Sequence, residues 1–386
     1  MLWTVIRDAL LLLALASFAY YLVAILAALR FFRARDAASS ANFTPSLSIL
    51  KPIYGLDRET YQNYASFCLQ DYPDYEILFC VSDDRDPAIP VIAELARNFP
   101  ERKIKLIVGS EPLGVSDKVN KLCRMVREAA HEIVVVSDSD VRVEPHYLRA
   151  IAAPFRDPKI GAVTCLYRGL TDGSLAANLE AIGNSTDFTA GVLVAWMLGD
   201  VNFALGATMA TTKARLAEIG GFESMVDHFS DDYELGNRIQ ARGHRVELST
   251  FPVSIVYPHQ TLGDAFRHQL RWNLSIRYSR PAGHWGLIFT QGLPLALLAA
   301  VFAPSAAWAV SLVLGYLVLR GVSAWIIGVA GMRDALLRRN MELLPLRDAF
   351  AFVVWVVSFF PQRIHWRGQE FYVRDKRLVS TAPRQP

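Results

Sequence analysis

Two kinds of apolar pattern divide the 386-residue chain, long uninterrupted runs near its ends and short ones between them. Ala9 to Leu29 has no charged side chain over 21 residues, with Arg7 and Asp8 before it and Arg30, Arg33 and Arg35 after it. That length spans a hydrocarbon core. A cleavable leader would be shorter and carry its positive charge in front, so the pattern predicts an uncleaved transmembrane anchor over residues 1–32. The excess of arginine behind it places that side, and with it the central part of the chain, in the cytoplasm. Leu287–Ala303 and Ala306–Met332, parted by Pro304 and Ser305, predict a helical hairpin. Ala349–Phe360 has only 12 residues and basic groups on both sides, which predicts an in-plane or re-entrant helix. The membrane region thus runs over 285–362. A basic tail over 363–386, with Arg363, Arg367, Arg374, Lys376 and Arg377, comes after it. Arg320 lies inside the second limb, where a charge either packs against a neighbouring helix, snorkels, or serves function.

Between residues 42 and 280 the runs shorten. Residues 46–50, 76–81, 104–109, 133–138 and 161–167 are rich in Val and Ile on consecutive positions, as in strands covered on both faces. Helical spacing separates them, most clearly at Lys118–Ala130, where Val119, Leu122, Cys123 and Val126 share a face. Alternation of this kind predicts an α/β domain with a mostly parallel, Rossmann-like sheet, whose ligands bind beyond the carboxyl ends of the strands.

Composition narrows the class. The chain is 52% hydrophobic, with 40 basic and 37 acidic side chains and a formal charge of +3. Disorder is excluded, and the charge gives no footprint for nucleic acid. Cys68, Cys80, Cys123 and Cys165 are widely spaced, as expected for small core residues in a reducing compartment.

The candidate chemistry lies where apolar runs stop. IVVVSDSD ends on Asp138 and Asp140. If the strand continues through them, its alternation points both carboxylates to one side, where a hard divalent cation such as Mn2+ or Mg2+ can join them to a diphosphate. Acidic residues also end strands and open turns without further purpose. EILFCV stops on Asp83, Asp84 and Asp86. Lys51 and Pro52 follow the first strand, and Lys118 and Asn120 open a helix, all candidates for contacts to a nucleotide. Ser230, Asp231 and Asp232 open a further helix after the GGFES stop at 220–224. Carboxylates there serve as caps, and equally as an ionised general base. In HQLRW, His268, Arg271 and Trp272 fall at i, i+3 and i+4 on a helix over Leu262–Tyr278. The arginine fork suits a diphosphate and the aromatic a sugar or lipid pocket. The arginines of that helix equally suit a lipid surface.

Taken in order, Asp83, Asp138 with Asp140, Asp232 after Asp231, and the R-W pair resemble the signature of membrane-anchored family-2 and family-21 glycosyltransferases, within them the ceramide glucosyltransferase group and its bacterial relatives. The chain departs from that pattern at His268, where Gln or Arg is usual. TCLYRGL, LGATMATTKARL and HQLRW are most similar to the bacterial branch associated with hopanoid biosynthesis. The resemblance implies a GT-A fold and a UDP-sugar donor. It further implies Asp83 on the nucleotide, Asp138 and Asp140 on the metal, Arg271 on departing UDP and Asp232 as base. The acceptor implied is a membrane lipid, a hopanoid polyol or ceramide. Together with the arginines behind the anchor, this places the protein in a bacterial inner membrane with its catalytic domain facing the cytoplasm. Two C-terminal spans are few for a polymer channel, so a single transfer is expected over processive synthesis or binding alone.

Overall fold

A computed structural model describes residues 2–33, 43–360, 364–366, 369–374 and 376–380. Arg363 and Arg367 of the predicted tail lie outside them. The chain forms two compact units. One comprises Met1–Arg33, Arg168–Gly199 and His259–Gln362, the other Ala34–Tyr167, Asp200–Pro258 and Arg363–Pro386. The boundary differs from the expected 42–280, because residues 168–199 and 259–280 belong with the apolar helices. The reason is packing: the Leu262–Ser279 helix lies on Leu175–Gly183 and on Leu344–Val357, and Gly183 sits so close to the Arg347 guanidinium that a Cβ would stand 2.4 Å from it.

In the helical unit, Trp3–Arg33 and Ala306–Gly331 are long and apolar enough to cross a membrane, with 31 and 26 residues. Tyr21, Leu293, Ala296 and Tyr316 pack between helices, while Leu12, Leu22, Val301, Val310 and Val318 are exposed, an apolar surface of the kind a bilayer covers. The expected limb Leu287–Ala303 is instead broken, with Pro281–Thr290 and Gly292–Val301 bent by 58°. Gly292 approaches the Tyr316 ring with no room for a Cβ, and Pro294 lacks the N–H that a continuous helix would use there. The third apolar run lies up to Val357 on a helix over Leu344–Val357 of 14 residues, about 21 Å at 1.5 Å per residue, too short to cross alone.

The other unit is built on eight strands: β1 Leu47–Pro52, β2 Tyr75–Val81, β3 Lys103–Val108, β4 Ile133–Val136, β5 Val141–Arg142, β6 Ile160–Leu170, β7 Met209–Thr212 and β8 Arg245–Val256. Their order is β3-β2-β1-β4-β7-β6-β8-β5. β1, β2, β3 and β4 are parallel, whereas β7 runs antiparallel to β4 and β6, and β5 antiparallel to β8. Leu50, Leu78, Val134 and Val136 form a core with Leu122 and Met125 of the Asp117–Glu128 helix and with Leu235 and Ile239 of Asp231–Ala241. Each such side chain contributes roughly 1.5–3 kcal/mol by leaving water.

Three expectations are corrected. IKLIVG is an edge strand with Lys103 and Lys105 exposed, not one covered on both faces. GAVTCLY is buried but antiparallel to its neighbour β7. β4 ends at Val136, and Ser139 and Asp140 form a turn in which the Val141 amide donates to the Asp138 carbonyl at 3.3 Å, so strand alternation does not align the two carboxylates. The turn is required because β5 must double back to pair with β8.

Candidate active site

Parallel strands bring β1, β2 and β4 to one carboxyl edge, and the antiparallel β7 begins at the same edge because Val136 pairs with Met209. Lys51, at the end of β1, is fully buried. Its Nζ donates to the Asp138 carbonyl at 2.8 Å and lies 3.9 Å from the centre of the Phe67 ring. Burial pulls its pKa down to about 7, against the attraction of Asp140, Asp138 and Asp57. Pro52 is buried beside it.

The helix opening at Asp117 is stitched to this edge. Ser116 caps it by accepting from the Val119 amide, Asp117 accepts from Ser82 at 2.8 Å, and Lys121 donates to the Ile53 carbonyl at 2.6 Å. Lys118, in its first turn, therefore has a fixed position. Its ammonium lies 2.8 Å from Asp138 Oδ1 and 3.2 Å from Asp231 Oδ2. Burial works against that charge, but Asp138, Asp231 and Asp232 outweigh it and push the Lys118 pKa well up. Asn120 has both ends of its amide engaged by the Gly114 main chain, at 2.9 and 3.0 Å. In this structure it closes the loop before Lys118.

Asp231 and Asp232 open their helix after Ser230, and Gly243, at φ +86°, stands beyond its end. Asp232 Oδ2 accepts from the Gly206 amide at 3.1 Å and Oδ1 from the Tyr233 amide at 2.7 Å. Burial, then Asp231, push its pKa up to about 6, opposed by Lys118. Asp140 is pushed up to about 7 by burial, then by Asp138 and Asp57, with Lys51 opposing. Asp83 follows β2 and is exposed, accepting from the Arg85 amide at 2.8 Å. Its neighbour Asp86 is occupied by the Gly55 and Ala88 amides and orders the loop.

Lys51, Lys118, Asp138, Asp140, Asp231 and Asp232 thus form one connected cluster. Two members carry no signal in the apolar pattern of the sequence. Asp57, in the loop after β1, acts on both Lys51 and Asp140. Gly206 lies where a Cβ would be 3.3 Å from Asp138 Oδ2, 3.5 Å from Asp232 Oδ2 and 3.9 Å from Lys118 Nζ. A glycine three residues before a short strand is the one hint of it in the chain.

His268, Arg271 and Trp272 lie in the helical unit, on Leu262–Ser279. Thr261 and Asp264 form a capping box that fixes where the helix starts. The His268 and Trp272 rings meet at 4.7 Å.

All-oxygen donors suit a hard divalent cation. Asp138 and Asp140 offer such donors, and the pKa of Asp140, raised by burial first and then by Asp138 and Asp57, reflects negative charge that a cation would offset. Among the described residues no three His, Cys, Asp or Glu side chains converge as a ready metal site, so a cation would need further oxygens from a ligand.

Relatives give the arrangement a context. Ceramide glucosyltransferase 1 of Caenorhabditis elegans is 30% identical over 229 residues, 59% of this chain and 49% of its own length. The ceramide glucosyltransferase of Komagataella phaffii is 32% identical over 143 residues, 34% of this chain and 28% of its own. This chain spans about half the length of the first of these. A mannosyltransferase from Pyrobaculum calidifontis, solved with GDP-Man and Mn2+, shares the fold at a TM-score of 0.50 and 18% identity, covering 91% of this chain and 99% of that one. The mixed sheet is accordingly of the GT-A kind. Residues 9–379 match the profile of glycosyl transferase family 21, and the chain belongs to that family.

Proposed function

We propose that the chain is a hexosyltransferase that moves one hexose or N-acetylhexosamine from a UDP-sugar to a hydroxyl of a membrane lipid, with inversion at the anomeric carbon. The observation that carries the reading is the gathering of Asp138, Asp231 and Asp232 around Lys118 and Gly206 at the carboxyl edge of the sheet. Membership of family 21 and the similarity to ceramide glucosyltransferases support it. Two spanning-length helices support an acceptor held in the bilayer. The arginines after the anchor favour the cytoplasmic face of a bacterial inner membrane, where a soluble donor is at hand.

In this reading Asp83 meets the nucleotide, Lys118 supplies positive charge at the diphosphate edge, and buried Lys51 holds the Asp138 main chain beside it. Asp138 and Asp140 hold Mn2+ or Mg2+, which when bound neutralises diphosphate charge. Asp232 is the base. Its carboxylate takes the proton of the lipid hydroxyl, the oxygen forms a bond to the anomeric carbon, and the bond from that carbon to the diphosphate oxygen breaks with its electron pair leaving on UDP. The roles of Arg271 and Trp272, cation for the leaving group and apolar wall, come from their motif, and His268 stands with them.

The test is Asp232→Asn. Turnover should fall on the order of 10²–10⁴, while UDP-sugar binding by calorimetry stays within a few-fold of the parent. Loss of donor binding in that variant would remove the base assignment.

A further inference from the structure

Glu180, on the Leu175–Gly183 helix, has a side chain with no solvent exposure. Its Oε1 accepts from His268 Nδ1 and from Gln269 Nε2 at 3.1 Å, and its Oε2 from Gln260 Nε2 at 2.7 Å. Burial alone would raise its pKa, but the hydrogen bonds from His268, Gln260 and Gln269 outweigh it and hold the carboxyl below its ordinary value. An ionised carboxylate can only accept hydrogen bonds. Nδ1 of His268 must then carry a hydrogen, and a half-turn of the ring would put Cδ2 in its place and forfeit the hydrogen bond to the buried anion. The His268 side chain is 31% exposed, and its Nε2 has no protein partner among the described residues.

The same carboxylate extends its grip further. Gln269, held by Glu180 through its Nε2, accepts from Arg347 through its Oε1 at 3.3 Å, and Arg347 pairs with Asp187 at 3.0 Å. Asp187 in turn meets Arg320 of the second spanning-length helix. The register of His268 is thereby tied to the ion pairs of the helical unit.

We propose that Glu180 is the positioning residue of the H-x-x-R-W helix, fixing Nδ1 of His268 as a donor and leaving Nε2 as the ring nitrogen that meets a substrate oxygen. This rests on the transferase reading for its purpose, though not for its geometry. It gives a reason for histidine at a position where the family pattern has Gln or Arg: here the residue is oriented from behind by an acid on another helix.

The experiment is nitrogen NMR of ring-15N histidine in the full-length, detergent-solubilised protein, with the His268 signals identified by their loss in His268→Gln. In the parent protein Nδ1 should be protonated. In Glu180→Ala it should lose its hydrogen, because a free neutral imidazole in water favours the Nε2–H form. A bare Nδ1 in the parent overturns the proposal and needs no Glu180 variant. An unchanged Nδ1 in Glu180→Ala overturns it as well. Turnover supplies the second readout. Glu180→Gln should lower kcat/KM by about 10–100-fold, as loss of an orienting carboxylate partner does elsewhere, with the loss mostly in kcat. In the His268→Gln background the same change should cost less than about 3-fold, since coupled residues are not additive. Equal losses in both backgrounds would make Glu180 a mere support of the fold and overturn the proposal. Absence of turnover with every lipid would count against the transferase reading, while the nitrogen spectrum would still decide on Glu180.

Discussion

Asp232 and Asp140 are both half-buried beside other carboxylates, and both therefore hold protons more tightly than a free aspartate. For Asp232 the consequence is kinetic: with its pKa raised to about 6, kcat should fall on the acid side of that pH and reach a plateau above it. A flat kcat profile between pH 5 and 8 would argue against Asp232 as base. For Asp140 the consequence is thermodynamic. A carboxyl raised on folding contributes stability that is full below its unfolded pKa and lost as pH rises through its folded pKa of about 7. In chelator at pH 8, Asp140→Asn should therefore raise the apparent Tm while abolishing turnover, and at pH 5 the stability difference should shrink. A lower Tm at pH 8 would show that the ionised carboxylate is stabilising. Gly206→Ala tests the close approach at the centre of the cluster. Its Cβ would stand 3.3 Å from Asp138 Oδ2, so that carboxylate must give by a few tenths of an ångström, and since misplacement by ~1 Å can cost 10² in rate, kcat should drop a few-fold with Tm little changed. The carboxylates were legible in the sequence because they end or open periodic elements. Gly206 and Asp57 were not, because what they do is defined by the approach of chain segments distant in sequence.

Elements were legible to the extent that each one's burial is uniform along it. β1 and β4 are buried throughout and β2 at every position but Glu76, and their apolar runs show it. The short β7 and the mixed pattern of β8, interrupted by Ser249, Thr250 and Ser254, offered no such run. The expectation that Asp138 and Asp140 share a strand face failed because a two-residue β5 has to reverse the chain within a few residues. Arg320 gives the clearest case of tertiary structure deciding among open alternatives. Its side chain is 2% exposed, donates to Asp348 at 3.0 Å and meets Asp187, and Tyr316 donates to the same Asp348 at 2.8 Å. Its packing is thus ionic and internal, with no snorkelling to a surface. Removing one member of a buried pair leaves uncompensated charge and costs ~3–5 kcal/mol. Arg320→Met should lower the apparent Tm of the detergent-solubilised protein markedly, and a Tm within a degree or two of the parent would mean that the network is not needed for stability.

At the scale of the whole chain, apolar helices of spanning length and a GT-A sheet carrying a carboxylate cluster occur on one polypeptide. The division between the two units was the least legible feature. Residues 168–199 and 259–280 contain no uncharged run of spanning length, and only their packing assigns them to the helical unit. The central claim is one sugar moved from a UDP-sugar to one lipid. The direct test supplies purified protein in detergent with Mn2+ or Mg2+, UDP-glucose or UDP-N-acetylglucosamine, and either ceramide or bacteriohopanetetrol, and tracks UDP release together with lipid mass. The predicted result is UDP release that depends on lipid, with the mass of a single hexose or N-acetylhexosamine added to one acceptor and no product from Asp140→Ala. Polymeric product, or no lipid-dependent release with any pairing, would contradict it.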